Sequence, residues 1–454
     1  ITAFAYTQIP ADTAVVKGVL PNGLTYYIRH NDYIPNRAAF HIAQKVGSIQ
    51  ETQGQRGLAH FLEHMAFNGT KHYPDKALIN YLETIGVKFG ANLNAYTSVD
   101  ETVYMITDVP TERVSTVDSC LLILRDWSDG ILLEAEAIDK ERGVIEEEWR
   151  TRNNPILRQI ENNASVIYAG DKYADCMPIG SMDVVRNCPY DTLRSYYNTW
   201  YRPDLQGIVV VGDIDVKRTE EKIKELFASA KVPAGAPERV YYPVSEYKEP
   251  CIVISADAET PFTLLTYSQK VDDIPDSLKS TEEGLKQAFI RDVVATMLSD
   301  RLSDVMKEAE PPFVGANAYY GDFLLSSKQK CFEIGAQVSN AGAEVAFTRL
   351  MEEVERMRRY GFTQDELERA GKSYLALLEQ IYNHRDQHKN DYFVNACIDN
   401  FLNNEAMPSD ETTFNVSKKI ASQVTIADVN AWVNSWNTNN VFIWFAGSSL
   451  EKLP

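Results

Sequence analysis

The sequence predicts an α+β fold built from two related α/β domains in tandem, each an antiparallel-rich sheet with helices on one face. Three observations predict it. The order of strand-like and helix-like segments recurs in the two halves. Both halves end in an aromatic residue, a polar turn, a buried strand and a glycine, as "YRPDLQGIVVVGDI" at 201–214 and "WNTNNVFIWFAGS" at 436–448. The segment 230–246, rich in Pro, Gly and Ala, predicts a linker. We therefore place the domains at 1–235 and 236–454.

The first half opens with strands. Two alternating apolar runs surround Pro21-Asn22-Gly23 and predict a hairpin, and a third strand follows at 37–48. Helices are predicted at 57–70, where Gly69 suits the helix end, and at 74–86, which Pro74 opens. The remaining predicted elements are strands on both sides of a turn near Asp100 in 91–109, helices at 111–130, 134–152 and 192–201, a strand at 207–214 and a helix at 217–230.

The second half repeats this alternation. Period-two and continuous apolar runs predict its strands, and apolar residues at helical spacing predict its helices. The predicted elements are strands at 251–258, 262–270, 331–339 and 440–448, and helices at 285–308, 342–360, 364–403 and 425–436.

Composition excludes several classes of function. The 454 residues carry a net charge of −19, which argues against nucleic acid and anionic lipid as partners and favours neutral or basic substrates. No run of 18 or more apolar residues is present, so we expect no membrane span. The six cysteines form no metal or redox motif; we expect free buried thiols, with a bridge between Cys176 and Cys188 as the alternative.

The stretch "GLAHFLEHMAFNGT" at 57–70 carries the chemistry. On a helix, His60 and His64 lie one turn apart on one face, so both imidazoles can reach a single metal ion. Glu63 is placed to reach a water at that metal and to act as a general base. A catalytic zinc site needs three protein ligands and one open position. A second pair at the same spacing, His384 and His388, stands in polar surroundings, and we interpret it as a solvated face.

The third ligand must come from elsewhere in the chain. The candidate is the acidic helix "EAEAIDKERGVIEEEW", in which Glu134 and Glu141 lie seven residues apart and therefore share a face. Glutamate-rich helices are usually just solvated, so composition alone does not select one residue.

The order H-x-x-E-H is that of the inverzincins. The stretch resembles the active-site signature of the pitrilysin, insulinase and mitochondrial processing peptidase family. The similarity continues through "LPNGLTYYI", "GVKFGANLNAYTSVDETVY", "KERGVIEEEW", "YYNTWYRPD" and "VVGDID". It implies a processing-peptidase-like fold and one Zn²⁺ per chain. In the family the third ligand is a glutamate 77 positions after the second histidine, which corresponds to Glu141. An accessory acid seven residues earlier corresponds to Glu134.

The resemblance also implies substrate contacts. "NAYT" is similar to the family's edge strand, which would place Asn94 and Ala95 beside the bond that is cut. Arg385 and Tyr392, seven apart on the predicted helix 364–403, match an Arg and Tyr that bind the substrate carbonyl in family members. The second domain is similar to the inactive repeat, which forms the other wall of the cavity. One departure is Met177, where many members place an Arg before the "PIG" triplet.

These features predict a zinc metalloendopeptidase that hydrolyses extended or unfolded peptides, with Glu63 activating a water molecule. The alternatives are a peptide-binding or assembly subunit, and the front half of a four-domain peptidase that is inactive without its second half. We expect a peptide substrate, and either a homodimer or a second two-domain half as partner. The chain begins at Ile1 with no signal segment and is most similar to large bacterial members. We therefore expect a processed or trimmed chain of an exported protein, periplasmic or extracellular.

Overall fold

A computed structural model describes residues 6–454. Its strands fall in two groups, on either side of a segment, 231–250, that carries neither helix nor strand. The strands are β1 (Val15–Val19), β2 (Thr25–His30), β3 (Arg37–Gln44), β4 (Leu93–Thr97), β5 (Thr102–Pro110), β6 (Gln206–Gly212), β7 (Cys251–Ala256), β8 (Leu264–Val271), β9 (Phe313–Phe323), β10 (Ser326–Val338) and β11 (Val441–Gly447).

Fifteen α-helices occur in the described residues. Those of the first half are α1 (Leu58–Met65), α2 (Ala77–Thr84), α3 (Val114–Asp129), α4 (Ala135–Thr151), α5 (Pro155–Ile167), α6 (Met182–Asn187), α7 (Tyr190–Trp200) and α8 (Val216–Phe227). Those of the second half are α9 (Asp276–Lys279), α10 (Glu282–Val305), α11 (Ala343–Tyr360), α12 (Gln364–Asn383), α13 (Asn390–Asn403), α14 (Asp410–Gln423) and α15 (Ile426–Asn434). None of the helices between residues 6 and 454 combines the length and apolar character of a membrane span.

The two sheets share one topology, which confirms the tandem pair. The first has the order β1-β2-β6-β3-β5-β4 and the second the order β7-β11-β8-β10-β9. Apart from β1, each sheet therefore places its first strand beside its fifth, then the second, fourth and third. In each sheet the first and fifth strands run parallel and all other neighbours run antiparallel. The third strand of each half, β4 or β9, ends its sheet as an edge strand.

Helices cover both faces of each sheet, whereas one covered face was predicted. The inner face of the first sheet packs on its own helices through Phe40, Phe61 and Trp127. The outer face is covered by α13 from the second half, where Phe401 contacts Gly207. Helix α5 of the first half likewise lies against β7 and β11 of the second sheet. Each half thus contributes a helix to the core of the other.

The predicted helix 364–403 was wrong as a single element. Helix α12 ends at Asn383 and α13 begins at Asn390, with a short 3₁₀ turn, Arg385–Gln387, between them. The break lets α13 leave the second domain and pack on the first sheet. Strand β9 and helices α5 and α14 were not anticipated. All six cysteines are free, including Cys176 and Cys188.

Candidate metal centre

Helix α1 presents two histidines from a helix that is otherwise anchored in the core. Its apolar residues Leu58, Phe61, Leu62 and Met65 are fully buried. The helix begins after Gly57, whose φ of 99° lies in the left-handed region.

The first turn of α1 is satisfied by a buried carboxylate. Glu51 is 3% exposed and accepts hydrogen bonds from the backbone N–H groups of Ala59 at 2.8 Å and Gly57 at 3.1 Å. Burial raises the pKa of Glu51 to about 8. Glu51 thereby fixes the position from which His60 and His64 project.

Three side chains converge on one point beside α1. The Nε2 atoms of His60 and His64 lie 3.2 Å apart. The Glu148 carboxylate, from α4, lies 3.5 Å from Nε2 of His60 and 3.2 Å from Nε2 of His64. One donor atom from each residue lies within 4.8 Å of the others. Two imidazole nitrogens and one carboxylate oxygen are a ligand set that zinc takes in hydrolytic sites, so these residues fit zinc.

Glu141 does not occupy the position predicted for the third ligand. One of its oxygens lies 2.7 Å from Nδ1 of His64, on the side of the ring turned away from His60. The other accepts a hydrogen bond from Asn68 at 2.9 Å. A carboxylate on the outer nitrogen of a metal-binding histidine orients the ring and fixes its tautomer. Glu148, two turns further along α4, takes the place assigned to Glu141.

Glu134 lies still further from the cluster. It precedes the first residue of α4 and is exposed. Fourteen residues separate it from Glu148, which is about 21 Å along a helix axis. The structure therefore does not place Glu134 where an accessory acid was predicted.

Glu63 lies beside the cluster and is held by a residue of the sheet. The Thr97 hydroxyl, at the end of β4, donates to a Glu63 oxygen at 2.5 Å. Burial raises the pKa of Glu63, while the Thr97 hydrogen bond opposes that effect. The carboxylate is thus oriented and easier to protonate than in water, as a group that takes up a proton and returns it must be.

The two histidines titrate in opposite directions. Burial, together with the neighbouring His64, lowers the pKa of His60 to about 4. Burial also acts to lower the pKa of His64, but the carboxylates of Glu141 and Glu148 outweigh it and raise that pKa to about 9. The hydrogen bond with His64 lowers the pKa of Glu148. At neutral pH the metal-free cluster therefore stores a proton on His64.

The predicted peptide-binding residues lie on an open sheet edge. Asn94 and Ala95 belong to β4, which pairs with β5 on one side only. The Asn94 side chain accepts a hydrogen bond from the Ala95 N–H at 2.9 Å, and Asn94 is exposed. Since Thr97 of the same strand contacts Glu63, a peptide added to this edge would pass close to the cluster.

Arg385 and Tyr392 do not form the predicted pair on one helix. Arg385 lies in the 3₁₀ turn and donates to the Tyr382 carbonyl at 2.9 Å. Tyr392 lies in α13 and donates to Asp410 at 2.6 Å. Both line a cavity of about 460 Å³ that includes none of His60, Glu63, His64 or Glu148.

The solvated pair also differs from its interpretation. His384 is exposed, but the His388 side chain is only 14% exposed and contacts Asp410 at 2.8 Å. Sequence reasoning missed Glu148, Thr97 and Glu51 as parts of the site. The acidic run "EEEW" and the seven-residue spacing from Glu141 could have indicated Glu148; nothing local indicated Thr97 or Glu51.

Two family profiles match the chain. One, described as "Insulinase (Peptidase family M16)", matches residues 30–166. The other, "Peptidase M16 inactive domain", matches residues 187–374. The first contains α1 and α4, and the second covers much of the second half.

Similar full-length proteins are named as zinc proteases. The "Probable zinc protease PqqL" of Haemophilus influenzae is 28% identical over 94% of this chain and 45% of its own length. The PqqL of Escherichia coli is 29% identical over 92% of this chain and 44% of its length. The chain thus spans less than half the length of these relatives.

Solved structures show the same architecture. The first half of the periplasmic protease PqqL from Escherichia coli is 26% identical, with a TM-score of 0.90 over 99% of this chain and 95% of that one. Pitrilysin is 16% identical, with a TM-score of 0.74 over 97% of this chain and 46% of that one, and so shows the fold alone.

Proposed function

Because the chain belongs to the insulinase family, peptidase family M16, we propose that it is a zinc metallopeptidase hydrolysing extended or unfolded peptides. The observation that carries this proposal is the convergence of His60, His64 and Glu148 beside Glu63. We assign the three residues as ligands of one Zn²⁺ per chain. Glu141 is assigned to hold His64 through its Nδ1 atom.

Zinc bound by two histidines and a glutamate supplies a Lewis acid that lowers the pKa of a water molecule to about 7. Glu63 takes the proton from the attacking water and returns it to the leaving amine. Thr97 keeps the Glu63 carboxylate in place during both transfers. The raised pKa of Glu63 favours its protonated form between them.

The open edge of β4 is assigned to the substrate. Main-chain hydrogen bonds to Asn94 and Ala95 would align a peptide without demanding a particular sequence. Only an extended segment can add to a sheet edge in this way, so folded proteins are excluded. The net charge of −19 favours neutral or basic peptides.

A second candidate is the front half of a longer peptidase. It is favoured because the chain covers 41–45% of the most similar curated proteins and 95% of a structure described as a first half. In that case this chain binds zinc and a second two-domain half completes catalysis. Export is proposed because the Escherichia coli protein is described as periplasmic.

The test is Glu63→Gln. It removes proton transfer without removing a ligand, so zinc content should stay at one per chain while peptide hydrolysis falls at least about a hundredfold. Metal analysis and cleavage of an unfolded peptide are measured on the same preparations. Retained turnover would show that another residue activates the water, and a wild-type protein that cannot be loaded with zinc would sink the proposal.

A further inference from the structure

An apolar cavity opens directly beside the zinc-ligand cluster. Its volume is about 410 Å³, within the roughly 300–1,000 Å³ usual for small-ligand clefts. His60 and Glu148 form one wall. The remaining lining is largely apolar and includes Val99, Met177, Ile179, Leu324 and Leu325. The guanidinium of Arg152 also lines it and is paired with Glu161 at 2.7 Å, so its charge is already balanced.

Two of the lining leucines stand where turns rarely carry leucine. Leu324 and Leu325 form the tip of the hairpin between β9 and β10 in the second domain. Leu324 has a φ of 48°, in the left-handed region that favours Gly, Asn or Asp. Such turns are normally polar, so this backbone is strained in order to present apolar side chains.

Buried hydrogen bonds hold the tip against the first domain. The hydroxyl of Tyr168, which is fully buried, donates to the Phe323 carbonyl and accepts from the Leu325 N–H, both at 2.9 Å. Asp100, in the β4–β5 turn, accepts from the Ser327 hydroxyl at 2.9 Å. The hairpin is therefore fixed relative to β4 and to the cluster.

The opposite wall is equally fixed. The segment 177–179 ends at Gly180, whose φ is 68° and where a Cβ would lie 2.2 Å from the Gly57 backbone. Gly57 is the residue from which α1 begins. The close approach of the two glycines locks Met177 and Ile179 against the zinc helix, and Met177 is only 4% exposed.

We propose that Leu324 and Leu325, from the second domain, form with Met177 and Ile179 a specificity subsite for an apolar side chain of the residue flanking the bond that is cut. This inference rests on the proposed peptidase function. A peptide along β4 passes Thr97 and Val99, which both line the cavity, so one of its side chains enters there. A charged side chain would lose its water without gaining a partner, because Arg152 is already paired.

The experiment uses the zinc-loaded full-length protein and decapeptides that vary at one position. Leu, Phe, Ala, Lys and Asp are compared at each residue flanking the cut, which mass spectrometry locates. Leu or Phe should exceed Ala and Asp at one flanking position by at least about tenfold in kcat/KM. Equal rates for all five residues at both positions would overturn the proposal.

Two variants assign the preference to the hairpin. Leu324→Gly relieves the positive-φ strain, so the protein should fold as well as wild type while its Leu-over-Ala preference falls about tenfold. Leu325→Asp should shift the preference towards Lys. The matched control is Leu377→Asp, at a leucine 58% exposed on α12, which should leave the preference unchanged. A preference that survives both hairpin variants, with zinc content and melting temperature intact, excludes the subsite.

A binding measurement separates this inference from the proposed function. The same peptides, fluorescently labelled, are titrated into zinc-loaded Glu63→Gln protein with and without Leu325→Asp. Tighter binding of the Leu and Phe peptides, lost on Leu325→Asp, supports the subsite even if no peptide is hydrolysed. Binding that is equal for all five peptides contradicts it even if hydrolysis occurs.

Discussion

At the scale of single residues, three glutamates spaced seven apart on α4 have different environments. Glu148 contacts both histidines, Glu141 contacts only the outer nitrogen of His64, and Glu134 contacts neither. Glu148→Gln should abolish stoichiometric zinc. Glu141→Gln should weaken zinc binding by roughly 10–100-fold, as expected for a partner of a metal-binding histidine. Glu134→Gln should have no effect.

Zinc titration with a competing chelator ranks the three variants. Glu134→Gln serves as the control, because it removes a charge from the same helix without touching the cluster. If Glu141→Gln lost zinc as completely as Glu148→Gln, the original ligand assignment would be restored.

Zinc binding should also release a proton from His64. Its pKa is raised to about 9, so at pH 7.5 the metal-free residue is protonated, and a metal ligand must be neutral. The affinity for zinc should therefore rise with pH up to about 9. Calorimetry at pH 7.5 in buffers of different ionisation enthalpy should give about one proton per zinc. The release should fall in Glu141→Gln, and a value near zero in wild type would contradict the prediction.

The sequence predicted half of this site and could not predict the rest. The spacing of His60, Glu63 and His64 places them on one helix turn by local geometry alone. The third ligand depends on how 70-odd intervening residues fold. Because Glu134, Glu141 and Glu148 share one face of α4, a count carried over from other chains can be wrong by two turns without violating periodicity.

At the scale of elements, α13 shows why helix 364–403 was predicted as continuous. Its residues favour helix throughout, but the outer face of the first sheet requires an apolar cover. Tertiary packing therefore decides where the chain breaks. Gly207 in β6 makes room for this cover, since a Cβ there would lie 2.8 Å from the Phe401 ring.

Gly207→Ala should consequently destabilise the protein by about 1–3 kcal/mol through overpacking. Its control is Gly335→Ala in β10, where a Cβ would meet nothing within 4 Å. Urea unfolding of both variants measures the difference in the free energy of unfolding. Equal stability of the two variants would show that α13 is not tightly seated on β6.

At the scale of the whole molecule, the repeat and its strands were predictable but the exchange of helices was not. Periodicity reveals that "GIVVVGDI" and "NVFIWFAGS" are buried strands, because both read as continuous apolar runs. It does not reveal which helix buries them. The first sheet uses α13 and the second uses α5, so each core is completed by residues from across the linker.

This exchange makes the two halves interdependent. A fragment 1–235 would lack α13 and expose Tyr27, Val103, Val209 and Val211, all at most 1% exposed in the intact chain. Such a patch favours aggregation over a stable monomer. We therefore expect fragments 1–235 and 236–454, produced separately, to lack a cooperative thermal transition, whereas their mixture or a chain cut within 231–250 should stay associated and keep the transition. Circular dichroism melting and size-exclusion chromatography measure both. A fragment 1–235 that melts cooperatively as a soluble monomer would contradict this interdependence.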